Sequence, residues 1–187
     1  MVHNLSVLDY DEIAKTTPVI KVSEALSVAL DQMPIPHTNT GFFILRDVKF
    51  INISNIFSFK DATGKRLEER VGGMVLDHRG IERQLNLKDD LVTYYLRFTI
   101  QDVTNNKTAL FVTGFEEAGM AIFNMSAIAL YQKMQDDESI DVAYFVEKLS
   151  QTGFDIMVST YVNKQQKISW TFNDVRNMWI LDHLPLN

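Results

Sequence analysis

Between Thr93 and Gln101 the chain alternates without a break. Tyr94, Leu96, Phe98 and Ile100 are apolar, and Thr93, Tyr95, Arg97, Thr99 and Gln101 fall between them. A period of two places the first set on one face of a β-strand and the second on the other. The turn text DVTNNKT then leads to a second strand. There Leu110 and Val112 continue the apolar face, which leaves Phe111, Thr113 and Phe115 turned outward. The same period returns at Phe154, Ile156, Val158, Thr160 and Val162, and again at Ile168, Trp170 and Phe172. The outward face of that last hairpin carries Ser159, Tyr161, Lys167, Ser169 and Thr171. Trp170 is therefore expected in the core. Upstream, Phe42 to Phe59 is rich in Phe, Ile and Val and reads as one long strand or a bent pair.

Helical spacing separates these runs. Leu26, Ala29, Leu30 and Met33 follow Ser23, a natural N-cap, and Pro34 and Pro36 stop the pattern. Ala127, Leu130, Tyr131 and Met134 line a second helix capped by Ser126. Val142, Phe145, Val146 and Leu149 line a third, capped by Ser139 or Asp137 and ended by Gly153. The acidic run Asp136, Asp137 and Glu138 reads as a helix start, where carboxylates suit the macrodipole. Met120, Met125 and Met134 are expected as core fillers. Lys60 to Asp90 is the least regular stretch, with four glycines and mixed charge, and is expected to be an insertion of short hairpins. Five strands with helices between the third and fourth is the order of an OB-fold, a small closed Greek-key barrel. The expected class is thus mainly β with helices (α+β). Residues 1–40 are expected to form an N-terminal extension with one helix, 41–175 the barrel with the 60–90 insertion, and 176–187 a C-terminal helix or tail.

Composition narrows the chemistry. The 187 residues are 46% hydrophobic and 22% charged, an ordinary globular balance. No cysteine is present, so disulfides and thiolate zinc sites are excluded. His3, His37, His78 and His183 are scattered and pair nowhere at ligand spacing. The N-terminus lacks a secretion pattern and no apolar run is long enough for a membrane span, so an intracellular protein without membrane contact is expected. A net charge of −6 argues against a surface built to coat duplex nucleic acid. It leaves room for a single-strand groove, where stacking carries much of the energy. No Gly-rich phosphate loop, nucleophile elbow or Cys/His pair is present, so no enzymatic activity is expected. The outward Phe111 and Phe115 ask for a function: base stacking, or burial under the insertion or a neighbouring subunit.

The text FTIQDVTNNKTALFVTGFEEAGMAIFNMSAIALYQKMQ, followed by TGFDIMVSTYVNKQQKISWTFNDV, resembles the C-terminal DNA-binding domain of the replication protein A large subunit. In that family a strand ending in aspartate leads to an aromatic-Val-Thr-x-Phe motif, then a helix start, and later a Val-x-Asp-Val-like strand. The matching residues are Gln101-Asp102, Phe111-Val112-Thr113-Gly114-Phe115, Glu117-Ala118 and Asn173-Asp174-Val175. The match is firm over roughly half the chain and looser over most of Gly41 to Leu184. It implies that single-stranded DNA stacks on Phe111 and Phe115. The family's second aromatic falls on Val162, which the alternation turns inward, so Tyr161 is the expected stacking residue there. Lys167 matches the family's basic position, Lys164 lies in the adjacent turn, and Arg97 is a further phosphate candidate on the outward face.

The family carries a four-cysteine zinc ribbon where this chain has its cysteine-free 60–90 insertion. Asp77, His78 and Glu68 or Glu69 offer at most a weak site for a hard cation, and a zinc-free ribbon with no cofactor is expected. The insertion also opens Lys65-Arg66 but continues Glu68-Glu69, which weakens its match to the family's basic ribbon. These departures point to a specialised paralogue, most similar to the ciliate telomerase processivity branch. The resemblance then implies a nuclear protein whose partners are single-stranded DNA (G-rich telomeric repeats among the candidates), OB-fold subunits and telomerase holoenzyme proteins. The family's C-terminal helix docks partner subunits. Met178, Trp179, Leu181 and Leu184 in the tail are the matching interface candidates. Acidic charge favours the alternative of a pure protein–protein scaffold; the outward aromatic pair favours DNA.

Overall fold

The computed structural model describes residues 17–25, 27, 41–104, 107–151, 153–162, 165 and 167–176. Among them run strands β1 (Val19–Ile20), β2 (Gly41–Lys60), β3 (Arg66–Glu69), β4 (Met74–Leu76), β5 (Glu82–Gln84), β6 (Leu91–Asp102), β7 (Ala109–Gly114), β8 (Phe154–Val162) and β9 (Ile168–Arg176). Three α-helices lie between β7 and β8: α1 (Glu116–Phe123), α2 (Ala127–Asp136) and α3 (Val142–Ser150).

Within the barrel, the twenty residues of β2 serve two neighbours. Its first half pairs antiparallel with β8, from Gly41↔Thr160 to Val48↔Phe154. Its second half pairs antiparallel with β6, from Val48↔Asp102 to Lys60↔Leu91. The change of partner falls at a register shift between Leu45 and Val48, where Asp47 takes a left-handed φ of 52°. Aspartate tolerates that region better than most residues, and a bulge bends a strand sharply. The long run is therefore one bent strand. From β6 the sheet continues antiparallel to β7, then parallel to β9 at Thr113↔Thr171, then antiparallel to β8 and back to β2. Five strands close on themselves with the helices between the third and fourth: an OB-fold.

The inward sets predicted from alternation fill this barrel. Tyr94, Leu96, Phe98, Ile100, Phe154, Ile156, Val158, Thr160, Trp170 and Phe172 are all buried. Phe50 is central, with ring centroids 5.1 Å from Phe98, 5.9 Å from Phe154 and 6.0 Å from Phe172. Trp170 leans on Phe43 at 6.0 Å.

The helix termini depart from sequence expectation. Periodicity predicts two helices here, and α1 is a third; it begins at Glu116, one residue before the Glu117-Ala118 pair that the family resemblance singles out. Ser126 caps α2 as expected, accepting from the Ala129 amide. The α3 cap is Asp141, accepting from the Tyr144 amide at 2.8 Å, and neither Ser139 nor Asp137. The acidic run closes α2 instead of opening a helix, with Asp136 its last residue and Asp137 its C-cap. The Asp137 carboxylate accepts from the Ser139 hydroxyl and amide, and these bonds hold its pKa below the ordinary carboxylate range. Met120 is exposed on α1 and is no core filler, whereas Met125 and Met134 pack against the core.

Near the N-terminus, β1 adds to β2 in parallel at Val19↔Ile44. Val22 is already helical, so Ser23 is not the cap. The amides of Val22 and Ser23 donate to the buried Asp102 carboxylate at 2.8 and 3.1 Å. A carboxylate from the end of β6 thus takes the capping role expected of a local side chain. Leu26, Ala29, Leu30, Met33, Pro34 and Pro36 lie outside the described residues.

The insertion is a meander, β3 pairing with the end of β2, β4 with β3 and β5 with β4. Two of its hairpin turns, β2–β3 and β4–β5, repeat one device. Asp61 accepts from the amides of Thr63 and Lys65, and Asp77 from those of Arg79 and Ile81. Each turn ends on a glycine in the left-handed region, Gly64 at φ 82° and Gly80 at φ 81°. Lys65 Nζ lies 3.2 Å from His78 Nε2 and links the two turns. Below them Arg83 donates through both terminal nitrogens to Asp90 at 2.6 and 2.7 Å.

Candidate nucleic-acid interface

Two clefts lie side by side on the outer face of the barrel. The first, of about 550 Å³, crosses β2, β6, β7 and β9; Asn52, Arg97, Thr99, Phe111, Thr113 and Ser169 give it a mixed polar and aromatic lining. The second, of about 590 Å³, runs from β2 and β6 onto β3 of the insertion. Lys60, Arg66, Arg97, Glu68 and Glu69 supply its charged groups. Tyr95 and Arg97 line both.

Pairing register explains why these side chains meet. Residues directly opposite in adjacent strands share a face. Thr99 faces Phe111 across β6 and β7, and Arg97 faces Thr113, which in turn faces Thr171 on β9. The outward set therefore forms continuous rows. Phe111 is 76% exposed in mid-strand. Phe115 sits at the N-cap of α1, 48% exposed, with its ring centroid 5.7 Å from that of Tyr95. Tyr161 is exposed and lies opposite Ser169, a residue of the first cleft.

Of the residues expected from sequence, Arg97 and Phe111 share the first cleft and Phe115 adjoins it through Tyr95. Tyr161 is on the adjoining row, and Lys167 is exposed where the chain enters β9. Lys164 and the tail residues Met178, Trp179, Leu181 and Leu184 lie outside the described residues, as does the burial of Val162. Sequence reasoning missed Tyr95 and Lys60 as site residues. Tyr95 was legible as outward in the same alternation that gave Arg97. Lys60 joins only because β3 folds back beside the end of β2.

The electrostatics are divided. Glu68 is paired with Arg70 at 3.4 Å, and burial raises the pKa of the Glu69 carboxyl. Three cations, Lys60, Arg66 and Arg97, share the clefts with those two carboxylates. Among the described residues no group of three or more His, Asp or Glu side chains is placed to hold a metal ion. No helix among them is long and apolar enough to cross a membrane.

An OB-fold with an outer cleft bearing an exposed aromatic ring and an arginine is the class that fold and site define. Among solved structures, the chain is similar to a chain of a replication protein A heterotrimer bound to single-stranded DNA. The TM-score is 0.56 at 15% identity, covering 89% of this chain and 38% of that one. It also matches a crystal structure of fission yeast Pot1 and Tpz1 with a TM-score of 0.43 at 14% identity, covering 86% of this chain and 91% of that chain. No protein-family model and no curated protein matches the chain. The first comparison supports the fold, and the chain spans well under half of that replication protein A chain.

Proposed function

We propose that this chain is a single-stranded DNA-binding module that holds its ligand across the outer face of the barrel. The observation that carries the reading is Phe111, a phenylalanine 76% exposed in mid-strand beside Arg97 in a polar cleft. A ring so exposed gains nothing for folding, whereas stacking on a base is worth about 1–3 kcal/mol. The motif resemblance supports the same two rings, Phe111 and Phe115, with Tyr161, Lys164 and Lys167 as further contacts. It also supports the finer reading: a nuclear, telomerase-associated processivity role, G-rich telomeric repeats as ligand, and OB-fold subunits and telomerase holoenzyme proteins as partners, docked through Met178, Trp179, Leu181 and Leu184. On this reading the chain binds and does not catalyse.

The deciding experiment is fluorescence anisotropy with labelled single-stranded oligonucleotides, a G-rich telomeric repeat among them. Binding by the wild type, lost in Phe111→Ala plus Phe115→Ala with the fold retained, is expected. Undiminished binding by that double variant would sink the stacking claim. The two carboxylates of the second cleft favour the scaffold alternative, in which the module docks partner subunits without DNA. Deletion of residues 177–187 then abolishes co-purification with OB-fold partners while wild type binds no oligonucleotide.

A further inference from the structure

The two clefts meet at Tyr95, and among the described aromatic rings its position there is unlike that of any other. Tyr95 and Arg97 are the residues common to both linings. The Tyr95 ring is half-buried and lies 5.7 Å from that of Phe115, the planes inclined at 40°. The pair is tilted, so each ring supports the other without stacking face to face. Its backbone is pinned as well: Asn55 Nδ2 donates to the Tyr95 carbonyl at 2.6 Å and to the Phe57 carbonyl at 2.9 Å. Register shifts fall on either side of Asn55, and its amide side chain bonds both carbonyls there.

Charge explains why a ring is needed at this junction. Beyond the shared Tyr95 and Arg97, the second cleft offers Lys60 and Arg66 against Glu68 and Glu69. Two cations and two carboxylates leave little net attraction for a phosphate backbone. A strand crossing from the barrel face to the insertion therefore needs contacts that do not depend on charge, and base stacking is such a contact. We propose that Tyr95, braced by Phe115, is a base-stacking residue that passes single-stranded DNA from the barrel cleft to the insertion cleft. The occupied track then extends beyond Phe111 over β3. The inference rests on the DNA-binding reading above.

The test uses the whole chain and oligothymidylates of about 4 and about 16 nucleotides, the range of OB-fold site sizes. The longer oligomer binds wild type more tightly. Tyr95→Ala weakens the longer one by about fivefold or more, the lower end of one lost stacking contact, and leaves the shorter one within about twofold. Tyr95→Phe keeps wild-type affinity, because the ring and not the hydroxyl is used. Tyr95→Trp places an indole at the junction, and the emission it adds over wild type is quenched when the longer oligomer saturates the protein. That reading carries the test if Tyr95→Ala does not fold. Unchanged long-oligomer affinity in folded Tyr95→Ala overturns the proposal, as does unaltered emission from the introduced indole while anisotropy reports binding. Loss of binding to both lengths in Phe111→Ala, with Tyr95→Ala like wild type, leaves the DNA reading standing and removes this one alone. A wild type that binds neither length removes both.

Discussion

Phe111 and Phe115 are both exposed aromatics, yet they are held in different ways. Phe111 stands in the middle of β7 opposite Thr99 and supports no neighbouring ring among the described contacts. Removing it should therefore cost the fold almost nothing. Phe111→Ala is expected to lose about 1–3 kcal/mol of DNA binding by anisotropy while stability in urea moves by less than about 0.5 kcal/mol. Phe115 is braced by Tyr95 at a helix N-cap, so its removal should cost both binding and some order at the start of α1. Gly119 is a residue of the opposite kind, keeping space free inside the molecule. A Cβ there would lie 2.2 Å from the Tyr94 ring, which is itself buried against Phe123 at 5.7 Å. Alanine is the better helix former by about 1 kcal/mol, but the clash is with a ring locked in the core. Gly119→Ala is expected to lower unfolding free energy by about 1–3 kcal/mol in urea melts, with overpacking outweighing propensity.

Among the elements, the insertion shows how a small sheet with few apolar side chains is held together. Its apolar content is small: Leu67, Val75 and Leu85 join the core cluster. The remaining order comes from carboxylates. Asp61 and Asp77 build two of the three turns, and Asp90 closes the base by accepting from both terminal nitrogens of Arg83 and from the Asn86 amide. The Arg83 hydrogen bonds are the leading cause that holds the Asp90 carboxyl below its ordinary pKa. A carboxylate whose folded pKa is depressed contributes stability that is complete above the unfolded value near 4 and is lost as pH falls through the folded value. Asp90→Asn is therefore expected to destabilise the protein at pH 7, and the difference from wild type should narrow in thermal melts as pH falls below the unfolded value near 4. A gap that persists at low pH would assign the effect to shape, not charge. The strands of this region were only partly legible in sequence. Short runs such as Met74–Leu76 have no period to read, but the Asp-x-x-Gly spacing at Asp61 and Asp77 marks both turns. Caps were the least legible feature. Asp102 serves amides about eighty residues away in sequence, and no local pattern announces such a partner. Asp137 failed for a related reason: an acidic run suits a helix start in general, but here its carboxylate satisfies a turn that follows a helix.

For the molecule as a whole, the barrel was legible because its faces alternate cleanly, and on β6, β8 and β9 the predicted inward residues Tyr94 to Ile100, Phe154 to Thr160, Trp170 and Phe172 are buried while Ile168 packs half-buried at the barrel's rim. The bend in β2 was not, since the left-handed Asp47 is visible only once two partner strands compete for one run. The site was legible as individual outward residues and not as a track, because the joining of two clefts at Tyr95 depends on where the insertion folds. That track lies in a chain of net charge −6, so the long-range field repels DNA even where local cations attract it. The two effects separate in salt. Three cations line the clefts, and each phosphate neutralised on a single strand contributes about −0.7 to the slope of log K against log salt. Full use of Lys60, Arg66 and Arg97 gives a slope of about −2, and pairing with Glu68 and Glu69 makes it shallower still. Arg97→Ala should reduce the magnitude of the slope by about 0.7, while Phe111→Ala should lower affinity at every salt concentration and leave the slope unchanged. A slope as steep as that of a strongly basic DNA-binding protein would mean that the strand lies on another face, because among the described residues the clefts offer these three cations, to which the proposed contacts add only Lys164 and Lys167. A shallow slope with stacking-dependent affinity places the energy of binding in the rings, where the alternation of one strand first put them.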